Sequence, residues 1–434
     1  MVYRICRTAE ADIGMRYYLS HYDGTGGRLK TEPRDFVVRE ISSPPPHAED
    51  GRFTIARVTS TNWETNRLVR LLSRELGCSR ERIGFAGTKD KRAVTTQLMS
   101  FECAPEELSR IDLRDVVIEE PYRAKRGMRI GDLLGNEFEI SIRGCDMPAS
   151  EIPGTLESVA SDIARAGGFP NYFGVQRFGV VRPVTHIVGE RIVRGDLEGA
   201  VRAYVSEPSE KESPDIIGAR AAAADTEDYA SVIGDVPKGM SFEKIMMEHL
   251  ISHPGDHAGA IGAMPPNLQM MFVHAYQSYL FNLMLSERMS RGMPLDAPVP
   301  GDVVIPADSD GTPQHERPII ATEKNMDLVA RQVRMGRAFV TITLFGSASS
   351  IPEGEMGDIE RSVIEREGIR NEDFIVPDLP RCSSKGSRRE ILCPVRDLRY
   401  SADGDGYTVA FSLTKGNYAT CLMREFMKSE MHSY

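Results

Sequence analysis

Two apolar segments enclose a polar loop in the stretch Ile83-Gly-Phe-Ala-Gly-Thr-Lys-Asp-Lys-Arg-Ala-Val-Thr-Thr-Gln97. Because Ile, Phe, Val and Thr favour strands, we predict that a rigid sheet presents this loop to a ligand. Asp90 lies at its centre, and Lys89, Lys91 and Arg92 surround it. Three neighbouring cations favour the ionised form of the carboxylate. The loop therefore predicts a reactive acid, although a salt bridge in a surface turn is the competing interpretation.

Patterns typical of several other protein classes are missing from the sequence. Gly84 and Gly87 lack the G-x-x-x-x-G-K-[ST] spacing of a phosphate-binding loop, which argues against a nucleoside triphosphatase. The seven cysteines never occur at two-residue spacing, so neither a disulfide framework nor a structural zinc site is expected. Three histidines fall four residues apart, but a Pro-Gly pair interrupts them: His249, His253 and His257. We predict no metal site.

The overall composition is that of an ordinary globular protein. Of the 434 residues, 41% are hydrophobic and 27% are charged. The apolar runs are far shorter than the ~20 residues that cross a bilayer. The first residues also lack the apolar core of a secretory signal. These features predict a cytoplasmic protein without membrane contact.

The negative charge is concentrated in one part of the chain. The formal net charge is −10, yet residues 195–380 alone contain 15 Lys and Arg against 30 Asp and Glu, a local charge of −15. The remainder therefore carries +5, which suits a surface that contacts phosphate groups. A solvated acidic face without a partner explains the charge equally well. The shift supports a separate module at about 195–380.

Residue patterns predict mainly strands before this module and after it. Helical spacing of leucines predicts one helix over Glu64–Leu76, with Asn62 as its cap. A long helix is expected over Asn267–Met289 in the acidic module. The strands predicted in the first part are Phe36–Ile41, Phe53–Val58, Ile83–Ala86, Val94–Phe101, Val116–Glu120 and Phe138–Ile142. The tail is predicted to contain strands at Arg389–Val395 and Tyr407–Leu413 and a helix at Tyr418–Lys428.

Five segments in chain order resemble motifs of the TruD family of pseudouridine synthases. The loop around Asp90, Phe85-Ala-Gly-Thr-Lys-Asp-Lys-Arg-Ala-Val-Thr95, looks like the catalytic motif of that family. The other four are Lys30-Thr-Glu-Pro-Arg-Asp-Phe-Val-Val-Arg-Glu40, Lys125-Arg-Gly-Met-Arg-Ile-Gly-Asp-Leu-Leu-Gly-Asn-Glu-Phe138, Asn171-Tyr-Phe-Gly-Val-Gln-Arg-Phe-Gly179 and Lys415-Gly-Asn-Tyr-Ala-Thr-Cys-Leu-Met-Arg-Glu425. Within the acidic module the resemblance depends mainly on Ala275–Asn282.

The resemblance implies an α+β fold with a mainly antiparallel catalytic sheet and an inserted mixed α/β domain, the TRUD domain. We expect residues 1–194 and 381–434 to form the catalytic domain and residues 195–380 the insertion. The implied reaction isomerises uridine to pseudouridine in tRNA, at position 13, without a cofactor or metal. Other RNAs remain alternative substrates, and no obligate protein partner is evident.

The resemblance also implies roles for individual residues. Asp90 is the catalytic carboxylate, but whether it attacks C1′, adds to the base or removes a sugar proton stays open. Lys30 corresponds to the basic partner of that carboxylate, and a solvated turn lysine is its alternative. Phe173 is assigned to stacking on an extruded base, and Asn171 to hydrogen bonding or loop shape. Candidate phosphate contacts are Lys89, Lys91, Arg92, Lys125, Arg126 and Arg129.

Two rival functions use the same residues. A non-catalytic RNA-binding or chaperone protein would keep the fold and would tolerate loss of Asp90. A hydrolytic nucleosidase or glycosidase would also use Asp90 but would release the free base. The intact Gly-Thr-Lys-Asp-Lys loop argues against the first rival, whereas only the reaction product separates the second.

Overall fold

The computed structural model describes residues 3–89, 91–226, 228–308 and 311–434. Its strands are β1 (Arg4–Ile5), β2 (Tyr17–Tyr18), β3 (Phe36–Ser42), β4 (Phe53–Thr61), β5 (Ile83–Phe85), β6 (Val94–Phe101), β7 (Val116–Ala124), β8 (Leu133–Ile142), β9 (Phe169–Pro170), β10 (Val303–Pro306), β11 (Ile319–Ile320), β12 (Ala338–Leu344), β13 (Ser387–Glu390), β14 (Leu392–Cys393), β15 (Arg396–Asp403) and β16 (Gly406–Thr414). Its helices are α1 (Thr65–Glu75), α2 (Pro105–Leu108), α3 (Ile152–Ala166), α4 (Thr185–Val193), α5 (Leu197–Ser206), α6 (Pro214–Ala224), α7 (Ser241–Ser252), α8 (His257–Gly262), α9 (Pro266–Ser290), α10 (Met326–Arg334), α11 (Glu355–Glu367) and α12 (Ala419–Met427). The predicted α+β class is confirmed. None of the helices in the described ranges is both long and apolar enough to span a membrane.

The described residues form two compact units, and each is discontinuous in sequence. The sheet unit comprises residues 22–169, 393–429 and 433–434, and the helical unit comprises residues 3–21, 170–392 and 430–432. The sequence-based division assigned four segments to the catalytic domain that pack with the helical unit instead: residues 3–21, 170–194, 381–392 and 430–432. The predicted division into a catalytic domain and an insertion stays a prediction. The two units describe only how the residues pack together.

A large mixed sheet dominates the sheet unit. Its strands follow the order β15-β16-β8-β3-β6-β4-β7. Neighbours run antiparallel except β3 and β6, which are parallel with Val38 beside Thr95. Strand β5 also pairs with β6, placing Ile83 opposite Phe101. Since β4 pairs along the whole of β6, β3 and β5 must share its other edge, one after the other.

Side chains alternate along each strand, so the face that includes Phe36 and Val38 carries most of the core, while a smaller cluster with Ile55 lies on the opposite face. Phe36 and Val38 of β3 are buried, whereas the intervening positions are more exposed. Helix α1 covers part of the core with Leu68 and Leu72, which pack in one cluster with residues of β4 and β6. Burial of each such side chain stabilises the fold by roughly 1.5–3 kcal/mol. The predicted helical leucine stripe is thus part of the core.

The start of α1 differs from the prediction. Glu64 is the cap, because its carboxylate accepts hydrogen bonds from the amides of Asn66 and Arg67. The predicted cap, Asn62, instead has a backbone φ of 64°, in the left-handed region that Asn tolerates better than most residues. The polar residue two positions later thus satisfies the first amides of the helix.

The helical unit is built around α9. Most of its side chains are buried, among them Phe272, Leu280 and Phe281. A second sheet in this unit has the order β11-β10-β12-β13 with antiparallel pairs. Arg288 of α9 forms a bidentate salt bridge with Asp302, and neither side chain is exposed to solvent. A helix buried on nearly every side explains why its sequence shows a weak amphipathic pattern.

Candidate active site

The loop that carries the proposed catalytic acid connects β5 to β6. Strand β6 lies in the interior of the large sheet. The loop leaves β5 after Phe85 and joins β6 at Val94. Because β3 and β5 share one edge of β6, the loop passes over the end of β3. Asp90 itself lies outside the described residues. The residues on either side of it define where the loop is held.

Two polar contacts hold the backbone immediately before position 90. The amide of Lys89 donates to the Thr65 hydroxyl at the start of α1, at 2.8 Å. The ammonium of Lys89 lies 2.6 Å from a carboxylate oxygen of Glu40 on β3. Only 5% of the Lys89 side chain and 1% of the Glu40 side chain are exposed. A buried, paired ammonium is not presented to RNA, so this geometry argues against the predicted phosphate contact of Lys89.

The Arg92 side chain ties the loop after position 90 to the segment Lys30–Glu40. Lys91 and Arg92 are exposed, as phosphate-contacting residues must be. The guanidinium of Arg92 donates to the carbonyl of Thr31 at 2.9 Å. Lys30 precedes that carbonyl, and its ammonium lies 4.2 Å from the centroid of the Phe36 ring. The sheet unit thus brings Lys30 and the loop together, although 61 residues separate Thr31 from Arg92.

The second basic segment connects β7 to β8 beside this loop. Met128 packs in one core cluster with Ala86. Lys125 forms an exposed ion pair with Asp50 at 3.1 Å, and Arg126 pairs with Asp132 at 2.7 Å. The Arg129 side chain is exposed. An exposed pair such as Lys125–Asp50 contributes at most about 1 kcal/mol to stability, so phosphate can compete for Lys125, whereas the Arg126–Asp132 pair is partly buried.

The aromatic loop belongs to the helical unit, where β13 determines its shape. The Asn171 side chain is 1% exposed, and its amide nitrogen donates to the Glu390 carbonyl at 3.0 Å. The Asn171 side-chain oxygen accepts from the Arg389 guanidinium at 2.7 Å. The backbone amide of Asn171 donates to the Ile391 carbonyl. These contacts fix the orientation of the Asn171 amide.

Phe173 is held from the opposite side of the loop by α9. Its backbone amide and carbonyl both bond to the side-chain amide of Asn282, at 2.9 and 3.1 Å. The ring is 5% exposed and packs edge-on against Phe281, with centroids 5.5 Å apart. The guanidinium carbon of Arg389 lies 4.3 Å from the ring centroid, and that of Arg177 lies 5.5 Å away. The proposed stacking residue is therefore part of an aromatic and guanidinium cluster.

The other two aromatic residues of this loop are buried. Tyr172 is 1% exposed, and its hydroxyl bonds to Ser286 of α9 at 2.9 Å. Phe178 is completely buried and packs edge-on against His186. Burial lowers the pKa of His186 to about 4, so this histidine is a neutral core residue.

Sequence reasoning missed three residues that organise these loops. Glu40 and Asn282 end segments that the family resemblance singled out, but neither received a role. Arg389 lies 218 residues from Asn171 in the chain, and no local pattern marks it. Within the ranges that the structure describes, no group of three or more His, Cys, Asp or Glu residues has a geometry that could hold a metal.

Comparisons with known proteins agree over nearly the whole chain. The family model of tRNA pseudouridine synthase D (TruD) matches residues 12–426. A protein of Methanococcoides burtonii named as a tRNA pseudouridine synthase D is 41% identical over 97% of both chains. A Halobacterium salinarum protein of the same name is 42% identical over 96% of this chain and 97% of its own.

A solved structure shares the fold. The crystal structure described as TruD from Methanosarcina mazei superposes with a TM-score of 0.87, covers 98% of each chain and is 37% identical. Fold and sequence together define an enzyme, a pseudouridine synthase of the isomerase class. The chain belongs to the TruD family of tRNA pseudouridine synthases.

Proposed function

We propose that this enzyme isomerises a uridine of tRNA at position 13, between the acceptor and D stems, and that Asp90 is its catalytic carboxylate. The observation that carries the proposal is the family match across residues 12–426, a range that contains the Gly-Thr-Lys-Asp-Lys loop. The anchoring of this loop on both sides of position 90 supports the assignment. Other RNA uridines remain within the proposal, as does a cytoplasmic location.

The proposed reaction conserves all atoms of the nucleotide. The N1–C1′ bond breaks, the uracil rotates while it stays bound, and a C5–C1′ bond forms. C5 then loses its proton and N1 gains one, so the product is an isomer. No oxidant, metal or cofactor is required. An ionised carboxylate assists because charge develops on the sugar or the base during glycosyl transfer.

Residues other than Asp90 have separate proposed tasks. Extrusion of the target base costs a few kcal/mol, which stacking and polar contacts repay. The family resemblance assigns the stacking task to Phe173; its ring is 5% exposed with the Arg389 guanidinium over it, so an entering base would displace that guanidinium or stack on it. Asn171 suits a hydrogen-bonding or loop-shaping task because its amide is fixed. Lys30 is the proposed cationic partner of Asp90.

Phosphate contacts are assigned to four exposed cations of the sheet unit and to the partly exposed Arg126. The exposed cations are Lys91, Arg92, Lys125 and Arg129. Such contacts position RNA without reading its sequence. Lys89 is left out of this set because its ammonium is paired with Glu40.

The direct test is chemical mapping of pseudouridine in unmodified total tRNA after incubation with the purified enzyme. The proposal predicts one new pseudouridine, at position 13, and no free uracil. Release of free uracil would instead identify a hydrolytic nucleosidase. Pseudouridine only at another position would refute the assigned target but keep the reaction.

A further inference from the structure

The ion pair between Lys89 and Glu40 is buried within the sheet unit. Their charged atoms lie 2.6 Å apart. Burial of two charges costs several kcal/mol, and their attraction rarely more than offsets that cost. A pair of apolar side chains in the same space would stabilise the fold as well or better. Stability alone therefore does not account for this pair.

Further polar side chains lie in the same row across the sheet. Glu40 of β3 is beside Asn136 of β8 in the antiparallel register. In the parallel register, Arg39 is beside Thr96, so Glu40 is level with Gln97 of β6. The three side chains therefore point to one face. Among the described residues, buried polar atoms of all three have no hydrogen-bond partner: Glu40 Oε1, Gln97 Nε2 and Oε1, and Asn136 Oδ1.

This row lies beneath the loop that carries position 90. The adjoining row of the same face contains the buried apolar residues Val38 and Phe138 and the buried Thr95. Buried polar groups are costly unless they serve a purpose, and they concentrate at functional sites. The Lys89 ammonium extends from the loop to this row, where it contacts Glu40.

We propose that Glu40 is a positioning residue for the catalytic loop: by neutralising and holding Lys89, it fixes the backbone from which Asp90 projects. This inference rests on the proposed function of Asp90. Thr65 supplies the second anchor, because its hydroxyl accepts the amide of the same lysine. The backbone amide and the side-chain ammonium of Lys89 are thus both held, one residue before Asp90.

The pair also has an electrostatic consequence. Glu40 balances the charge of Lys89, so this ammonium is held against β3. Without Glu40, a buried lysine would lack its partner one residue before Asp90. It would then turn towards solvent or towards the next acid, and either change displaces the loop. A displacement of about 1 Å at a reacting group lowers the rate by about 100-fold.

The test compares kcat, KM and thermal stability of variants on an unmodified tRNA transcript. Glu40→Gln is expected to lower kcat by about 100-fold with KM within about threefold of wild type. The double variant Glu40→Gln/Lys89→Met removes both buried charges. It is expected to recover thermal stability while kcat stays low, because the anchor is still missing. A double variant with wild-type kcat would overturn the proposal.

A second variant avoids any buried unpaired charge. Thr65→Val keeps the volume and removes only the acceptor for the Lys89 amide. It is expected to lower kcat by about tenfold while KM and the folded fraction stay unchanged. Wild-type kcat in Thr65→Val, together with wild-type kcat in the folded fraction of Glu40→Gln, would show that the pair is merely structural.

The matched control is the buried pair of the helical unit. Asp302→Asn leaves Arg288 without its charged partner in a site that is equally dry. It is expected to lower thermal stability but to leave kcat per folded molecule unchanged. An equal loss of kcat in this control would contradict a specific role of Glu40. If the wild-type enzyme forms no pseudouridine, the proposed function fails, and that outcome is distinct from a failure of Glu40 alone.

Discussion

The ammonium of Lys30 lies 4.2 Å from the centroid of the Phe36 ring, and the backbone at Lys30 has a φ of 53°. A left-handed conformation costs a non-glycine residue roughly 1–2 kcal/mol. The cation–π contact between Lys30 and Phe36 offsets roughly 0.5–1 kcal/mol of that cost. A strained lysine with a defined ammonium position is typical of a functional residue.

The variant Lys30→Gly separates the effect of backbone strain at position 30 from the effect of the lysine side chain. Glycine relieves the strain but loses the cation–π contact and gains freedom in the unfolded chain, so the net change in unfolding free energy should stay within about 1 kcal/mol. Pseudouridine formation should nevertheless fall at least about 100-fold, because the proposed partner of Asp90 is lost. Lys30→Met, which keeps the strained backbone, is the control for charge alone. Full activity in either variant would remove Lys30 from the mechanism.

Arg389 offers a second test, on the helical unit. Its guanidinium bonds to the Asn171 side chain and lies over the Phe173 ring at the same time. Lysine cannot reproduce both contacts, because its ammonium is a point charge without a planar fork. Arg389→Lys should therefore lower kcat about tenfold or more. The exposed Arg381→Lys should leave kcat unchanged. Equal rates for wild type and Arg389→Lys would show that the guanidinium does not orient Asn171.

Binding of RNA should depend strongly on salt despite the acidic net charge. Each phosphate contact contributes about 0.7–0.9 to the slope of log affinity against log salt concentration. Replacing Lys91 and Arg129 by glutamine should reduce that slope by about 1 to 2, because both side chains are exposed. Filter binding of tRNA between low and moderate salt measures the slope. An unchanged slope in the double variant would place the phosphate contacts elsewhere.

The neutral histidine of the core predicts a dependence of stability on pH. Burial lowers the pKa of His186 to about 4 in the folded protein, whereas the unfolded value is about 6.5. The unfolded chain therefore binds the extra proton between these values, and stability falls as the pH decreases. From pH 7 to pH 5, wild type should lose about 2 kcal/mol more than His186→Gln. Urea unfolding at both pH values measures this difference, and parallel losses would contradict it.

Much of the sheet can be predicted from the sequence, because buried strands have either alternating or continuously apolar residues. The predicted strand Val94–Phe101 coincides with β6, and Tyr407–Leu413 lies within β16. Strand β15 was not predicted. It is an edge strand whose residues are nearly all exposed, so no hydrophobic period marks it. Its position follows only from pairing with β16.

The candidate site can be predicted only in part from the sequence, for a physical reason. Motif resemblance identifies the loop around Asp90 and the segment around Phe173, since each is contiguous. The contacts that organise them join distant positions: Glu40 with Lys89, and Asn171 with Arg389. A run of basic residues also does not reveal which ammonium is buried. Sequence therefore favoured Lys89 as a phosphate contact, whereas the structure pairs it with Glu40.

The central claim is that one carboxylate, Asp90, isomerises a tRNA uridine. The most direct measurement compares pseudouridine formation and tRNA affinity for wild type and Asp90→Asn, with unmodified tRNA as substrate. Wild type should form pseudouridine at position 13, whereas Asp90→Asn should form none and should bind tRNA with nearly the same affinity. Pseudouridine formation by Asp90→Asn at the wild-type rate would contradict the account.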